Sequence, residues 1–256
     1  MAKKGFTLDD AIFQKKIRDL AKRVGVDEKE FVSEQGALLL RDIAKYVPPY
    51  KSFPTGRGTS IGSAKDKKQG ELAIEYDLRK IFFMPDKAQV YKWAKDVYPT
   101  GQIYRGRKII GAGVADTLEK MRRFHRSQQR RTGRTRGLKG SEQMWVTPAN
   151  FNKYLRAEKK RVGIAKASVA KGMIRLNPAA KIPAWVRRNL GNASGNARMT
   201  KLGGGWNAIF SASAFGLQHV QQKTMSIIKR ARLKAMEKRL LFIMKDNAKK
   251  AGLKVR

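Results

Sequence analysis

A run of cations, Arg105, Arg107, Lys108, Arg122, Arg123, Arg126, Arg130, Arg131, Arg134, Arg136 and Lys139, is the part of this chain best suited to chemistry. Guanidinium forks match phosphate oxygens bidentately, and the same geometry grips carboxylates. Glycine and threonine spacers keep the segment open, and flexible basic segments commonly order on a partner. Like charges at this density repel one another when unpaired, which favours an anionic partner over a solvated arm. Phosphate contacts would fix position without reading base sequence.

The remaining reactive residue types are sparse. Cysteine is absent, so disulfides and thiolate sites are excluded. The two histidines, His125 and His219, are far apart in sequence and form no metal-binding pattern. Glu71, Glu75 and Asp77 alternate in "GELAIEYDLRKIFFM" (70–84). On a strand Glu75 and Asp77 would share a face able to hold a metal, although gatekeeping charges on a strand edge explain them better. "GAG" at 111–113 lacks the third glycine of a dinucleotide loop, because position 116 is Asp, and no Walker lysine pattern occurs. No Ser-His-Asp or Cys-His arrangement is evident. The expectation is a protein without catalytic residues, metal or cofactor. Trp93, Trp145, Trp185 and Trp206 sit in apolar settings where packing is the default. Trp145, bordering the cationic run, is the candidate interface residue.

The charge is global as well as local. Lys and Arg number 57 against 20 Asp and Glu, a formal +37 over 256 residues. Such a field draws a polyanion and destabilises the isolated monomer by self-repulsion. With 41% hydrophobic residues a packed core is within reach. No apolar run is long enough for a membrane span, and "MAKKGFTLDDAIFQKK" carries no leader-like apolar stretch, so no membrane partner is expected.

Helical spacing runs through residues 6–24 and again from Asp27, a candidate N-cap with Glu30 three positions on, to Val47. Pro48 and Pro49 stop that helix. The 70–84 stretch is ambiguous, with alternation at Leu72, Ile74 and Tyr76 resembling a strand. Residues 86–97 return to helical spacing. Residues 100–145 read as a basic arm or insertion, with a possible short helix through Val114, Leu118, Met121 and Phe124. Residues 149–176 read as one long helix carrying Gly163 and Gly172, whose small face invites close packing. Pro183 opens a helix before Ala184, Trp185 and Val186. Residues 190–205 read as a turn-rich loop and 205–215 as a strand. From Leu217 to Ala251 the spacing predicts a long basic helix, which packs on the core with a solvated face, or lies on nucleic acid or a membrane surface. These elements predict an α+β fold. A small, mostly antiparallel sheet is packed by N-terminal and long C-terminal helices, in a single domain 1–256 with the 100–145 insertion.

A helix ending "RDIAKYVPPY", then "FPTG", then strands, resembles the neck or tail-completion proteins of tailed bacteriophages (head-tail connector and minor tail proteins). Pro48, Pro49, Pro54, Thr55 and Gly56 match the family's loop, residues 161–189 look like a segment of phage virion proteins, and "AIFSASAF" before a long helix fits the ending. The resemblance implies a structural virion protein at the head-tail junction, forming a ring around the DNA channel and assembled in the host cytoplasm. Its partners would be portal, adaptor or tail proteins and packaged double-stranded DNA. Pro48, Pro49, Tyr50, Phe53 and Pro54 would form an inter-subunit loop, and deleting 101–140 would block joining while leaving the core folded. The alternative is a non-sequence-specific nucleic-acid-binding protein of ribosomal or packaging type.

Overall fold

Asp27 opens the first long helix as its spacing predicts: its carboxylate accepts from the Glu30 N–H at 2.7 Å, and α1 runs Glu28–Tyr46. Val47 leaves in an extended conformation, as the residue before a proline must, and the helix ends there. The computed structural model describes residues 6–8, 15, 19, 27–50, 61–84, 103–104, 107–110, 117–132, 142–202, 205–213 and 222–250. The expected helix over 86–97 lies outside them. The chain divides into two compact units, Met1–Lys67 with Gly163–Arg256, and Lys68–Val162.

In the first unit, β1 (Phe6–Leu8), β6 (Asn196–Leu202) and β7 (Gly205–Ala212) form an antiparallel sheet in the order β1-β7-β6. Phe6 pairs with Ala212 and Asn196 with Ser211. Phe6–Leu8 is therefore a strand where a helix was expected. Residues 196–202, expected as loop, are also a strand. Both corrections have one cause: β7 alternates buried Ala208, Phe210 and Ala212 and offers two edges, so its neighbours pair with it whatever their own periodicity. Helix α5 (Ile164–Leu176) packs on both α1 and this sheet, with Ala167, Val169 and Ala170 fully buried, and α1 also meets β7, where Gly36 faces Ala208. A Cβ on Gly172 would meet the Phe210 ring at 2.6 Å, so close packing is what its small side permits. The C-terminal helix α7 (Gln222–Lys250) covers α1 through Met225, Ile228, Met236 and Leu240.

The predicted long helix over 149–176 is two helices, α4 (Pro148–Lys160) and α5, parted at Gly163. Gly163 has φ +95°, a conformation that disfavours any Cβ. The Trp185 ring also occupies the space a Cβ would need, at 2.6 Å. The same ring lies 2.6 Å from where a Cβ on Gly62 would stand. Trp185 follows Pro183, which opens the short helix α6 (Ala184–Arg187) as expected.

The second unit holds α2 from Lys68 onward (Ala64–Ile81), β2 (Phe82–Phe83), β3 (Ile103–Tyr104), β4 (Arg107–Ile110), α3 (Leu118–Thr132), β5 (Glu142–Trp145) and α4. Its sheet runs β2-β5-β4-β3, with β2 and β4 parallel to β5 and β3 antiparallel to β4. The α+β class thus holds: the first unit's sheet is antiparallel, and the second adds parallel pairs. The described residues of the 100–145 stretch, expected as a basic arm or insertion with a short helix, form β3, β4, β5 and α3 of this unit. The ambiguous 70–81 stretch is helix. Its alternating Leu72 and Tyr76 are 51% and 66% exposed, whereas Leu78 and Ile81 are buried at helical spacing. The signal for this was "SAKD" at 63–66: Ser63 Oγ accepts from Asp66 N at 3.2 Å and Asp66 accepts from Ser63 N at 2.7 Å, a capping box.

Lys166 is 1% exposed, and its ammonium donates to the Ala44 carbonyl at 2.6 Å. Burial lowers its pKa to about 8, against a small opposing pull from Asp66. The unfolded chain keeps this proton up to about 10.5, so between pH 8 and 10.5 unfolding binds protons and stability rises with pH. Below pH 8 the cost of the buried charge is complete. Ala44 O also accepts from Val47 N, so removing the lysine leaves that carbonyl satisfied. Lys166→Met is expected to be more stable than the wild type at pH 7 by on the order of 2 kcal/mol. Urea midpoints at pH 7 and pH 10 test this, because the gap should narrow at the higher pH; a gap that stays constant would remove the role given to Lys166.

Candidate functional site

Helix α3 sets out the described part of the cationic run. Met121, Phe124 and Gln128 recur at helical spacing and are buried. That forces Arg122, Arg123 and Arg126 to the outside, and all three are exposed. Arg122 and Arg126 are one turn apart, about 6 Å along the axis. Arg123 pairs with Glu119 at 2.6 Å, an exposed contact worth little. No carboxylate among the described residues pairs with Arg122 or Arg126. Arg130 and Arg131 lie in the last turn of α3, and Arg107 and Lys108 on β4, so the backbone brings these positions to regular elements. Arg105, Arg134, Arg136 and Lys139 lie outside the described residues. Trp145 ends β5, beside Phe83 of β2 in the register.

The proposed loop is described only in part. Pro48, Pro49 and Tyr50 are half-buried directly after α1, and Phe53 and Pro54 lie outside the described residues.

Glu75 and Asp77, weighed as a metal-holding pair and read instead as charges on a strand edge, stand on helix α2. On a helix Glu75 and Asp77 point apart. Glu75 accepts from Lys159 at 2.7 Å and from Arg79 at 2.9 Å, and these hydrogen bonds, Lys159 first, hold its pKa below the usual range. Asp77 contacts Lys80 at 3.3 Å. Among the described residues no group of three or more His, Asp or Glu is placed to hold a metal. His125 Nδ1 lies 2.9 Å from the Tyr154 hydroxyl and its Nε2 lies 3.0 Å from Gln129 Nε2. Gln129 can only donate there, so Nε2 accepts and Nδ1–H donates to Tyr154. Burial lowers the His125 pKa and raises that of Tyr154. Tyr154 is 1% exposed, and the pair packs in the core beside Phe82, with no access for a substrate to the hydroxyl.

Two features escaped the sequence reading. Asp42 is surrounded by Lys45 at 3.0 Å, Arg232 at 3.6 Å and Arg41 at 3.7 Å. Burial lowers the Arg232 pKa, and Asp42 opposes that. The signal was its phase: Arg232 falls in step with Met225, Ile228 and Met236 on the packed face of α7. The second is the outer face of α7, where Ile227, Leu241, Phe242 and Met244 are at least half exposed. The packed side agrees with a core helix, but Leu241, expected among the packing positions, faces outward.

No helix among the described residues is long and apolar enough to cross a membrane. No protein-family model, curated protein or solved structure matches the chain.

Proposed function

We propose that this chain is a non-enzymatic structural protein of a tailed-phage virion, seated at the head-tail junction in a ring around the DNA channel. Its partners are portal, adaptor or tail proteins and, without sequence preference, the packaged DNA. The observation that carries the polyanion part is the exposed Arg122–Arg126 ladder on α3, which no carboxylate among the described residues pairs. The junction part is supported by the helix that stops at Pro48 and Pro49 and by the strand before the long C-terminal helix. A monomeric, non-specific nucleic-acid-binding protein is the second reading, and the same ladder favours it.

The mass of the purified protein at low and high salt, with and without DNA, separates the two. A discrete multimer without DNA supports the junction reading. A monomer that shifts only with nucleic acid, and reverts at high salt, supports the second. Both readings expect the double variant Arg122→Gln/Arg126→Gln to lower the slope of log K against log salt on duplex DNA by about 2. An unchanged slope would take the ladder out of the interface. Deleting 101–140 cannot serve as the test, because it would remove Met121 and Phe124 from the core of the second unit.

A further inference from the structure

Among the described residues of the first unit, two cavities of similar size differ in charge character. One, about 560 Å³, is lined by Asp27, Glu30 and Glu34 as well as Lys29 and Arg239. The other, about 540 Å³, lies between α1, the end of α5, the 177–183 turn and α6, and the charged residues lining it among those described are Arg41, Lys181 and Arg187. Among the described residues no carboxylate and no aromatic ring lines it; Leu38, Met173 and Ile182 supply its apolar wall. Arg41 Nε is buried without a hydrogen-bond partner and lies 3.7 Å from Asp42. Asp42 already serves Lys45 and Arg232, so it leaves Arg41 poorly compensated. Buried guanidinium nitrogens are costly unless an acceptor reaches them.

We propose that this cavity binds a short acidic peptide segment of a partner protein, with carboxylates on Arg41, Lys181 and Arg187 and an aliphatic side chain against Leu38 and Met173. Its volume lies in the range of sites that enclose a small ligand. Guanidinium forks suit carboxylates bidentately. The missing aromatic ring disfavours a nucleobase, which gains much of its affinity by stacking. This inference is independent of the α3 ladder and of the head-tail reading.

The test uses the full chain and a dye-labelled peptide alternating glutamate and leucine, at physiological salt. Because the whole protein is cationic, an equal-charge control is essential: Arg198→Gln/Lys201→Gln/Lys234→Gln, at exposed positions outside the cavity lining. Arg41→Gln/Lys181→Gln/Arg187→Gln is expected to weaken the peptide about tenfold or more, and the control at most about twofold. Replacing the peptide's leucines by serine should weaken it about fivefold on the wild type alone. If Arg41→Gln disturbs folding, Lys181→Gln/Arg187→Gln, both exposed, should still cost about fivefold. Equal loss in cavity and control variants would overturn the site. Displacement of the peptide by inorganic phosphate or an oligonucleotide, lost only in the cavity variants, would overturn its ligand.

Discussion

Phe82→Ala is expected to melt the Lys68–Val162 unit well below its normal temperature, at a cost of about 3–5 kcal/mol. Phe82 is 2% exposed and stands where α2 passes into β2. Its ring meets Phe124 at 6.0 Å, Phe151 at 6.3 Å and Tyr154 at 5.7 Å, so it touches α3 and α4 together. Removing it opens a cavity among three aromatic rings that cannot all collapse inward while their helices hold position. Tyr76→Ala, six residues earlier on an exposed turn of α2, should change stability by no more than about 0.5 kcal/mol. Circular dichroism melts of both variants would decide the matter. Equal melting curves for Phe82→Ala and the wild type would mean that Phe82 does not join these helices.

The second large effect belongs to the other unit. Gly195→Ala is expected to destabilise it by about 3 kcal/mol or more. A Cβ there would stand 1.6 Å from the Ser168 carbonyl oxygen and 2.5 Å from its carbon. Those are backbone atoms of a fully buried turn of α5, so no side chain can rotate away to make room. Gly191→Ala is the control, since a Cβ there meets nothing within 4 Å. Urea unfolding of the pair should show a shifted midpoint for Gly195→Ala alone. Similar midpoints for the two variants would place β6 farther from α5 than described.

Elements whose own residues carried the decision were legible from sequence. Asp27 and Pro48 bracket α1, Met121 and Phe124 announce α3, and the alternation through Phe210 gives β7. Failures came where tertiary partners decided. The alternation of Leu72 and Tyr76 mimicked a strand, although both are surface residues of a helix whose buried contacts come from Leu78 and Ile81. The break at Gly163 was hidden because the residue that enforces it, Trp185, lies far along the chain. β6 has few apolar residues of its own and is recruited by β7. For the site, residue type singled out Arg122 and Arg126, and the spacing of Leu118, Met121 and Phe124 announced a short helix under them, but not the partners Phe82, Phe151 and Tyr154 that anchor it in a core. The Arg41, Lys181 and Arg187 cavity had no sequence signature, because it joins α1 to a turn about 140 residues away.

The Trp185 indole has a consequence for how such a chain can be rearranged. The second unit interrupts the first, and the polypeptide leaves through the residues after Gly62 and returns at Gly163. Both glycines belong to the first unit and press on the same ring, so the host chain before and after the interruption is gathered at one indole. A host that holds its own two segments together in this way can lose, exchange or enlarge the inserted module without being stretched. The cationic α3 helix would travel with such a cassette, and the Arg41 cavity would stay behind, so the two surfaces are free to change independently.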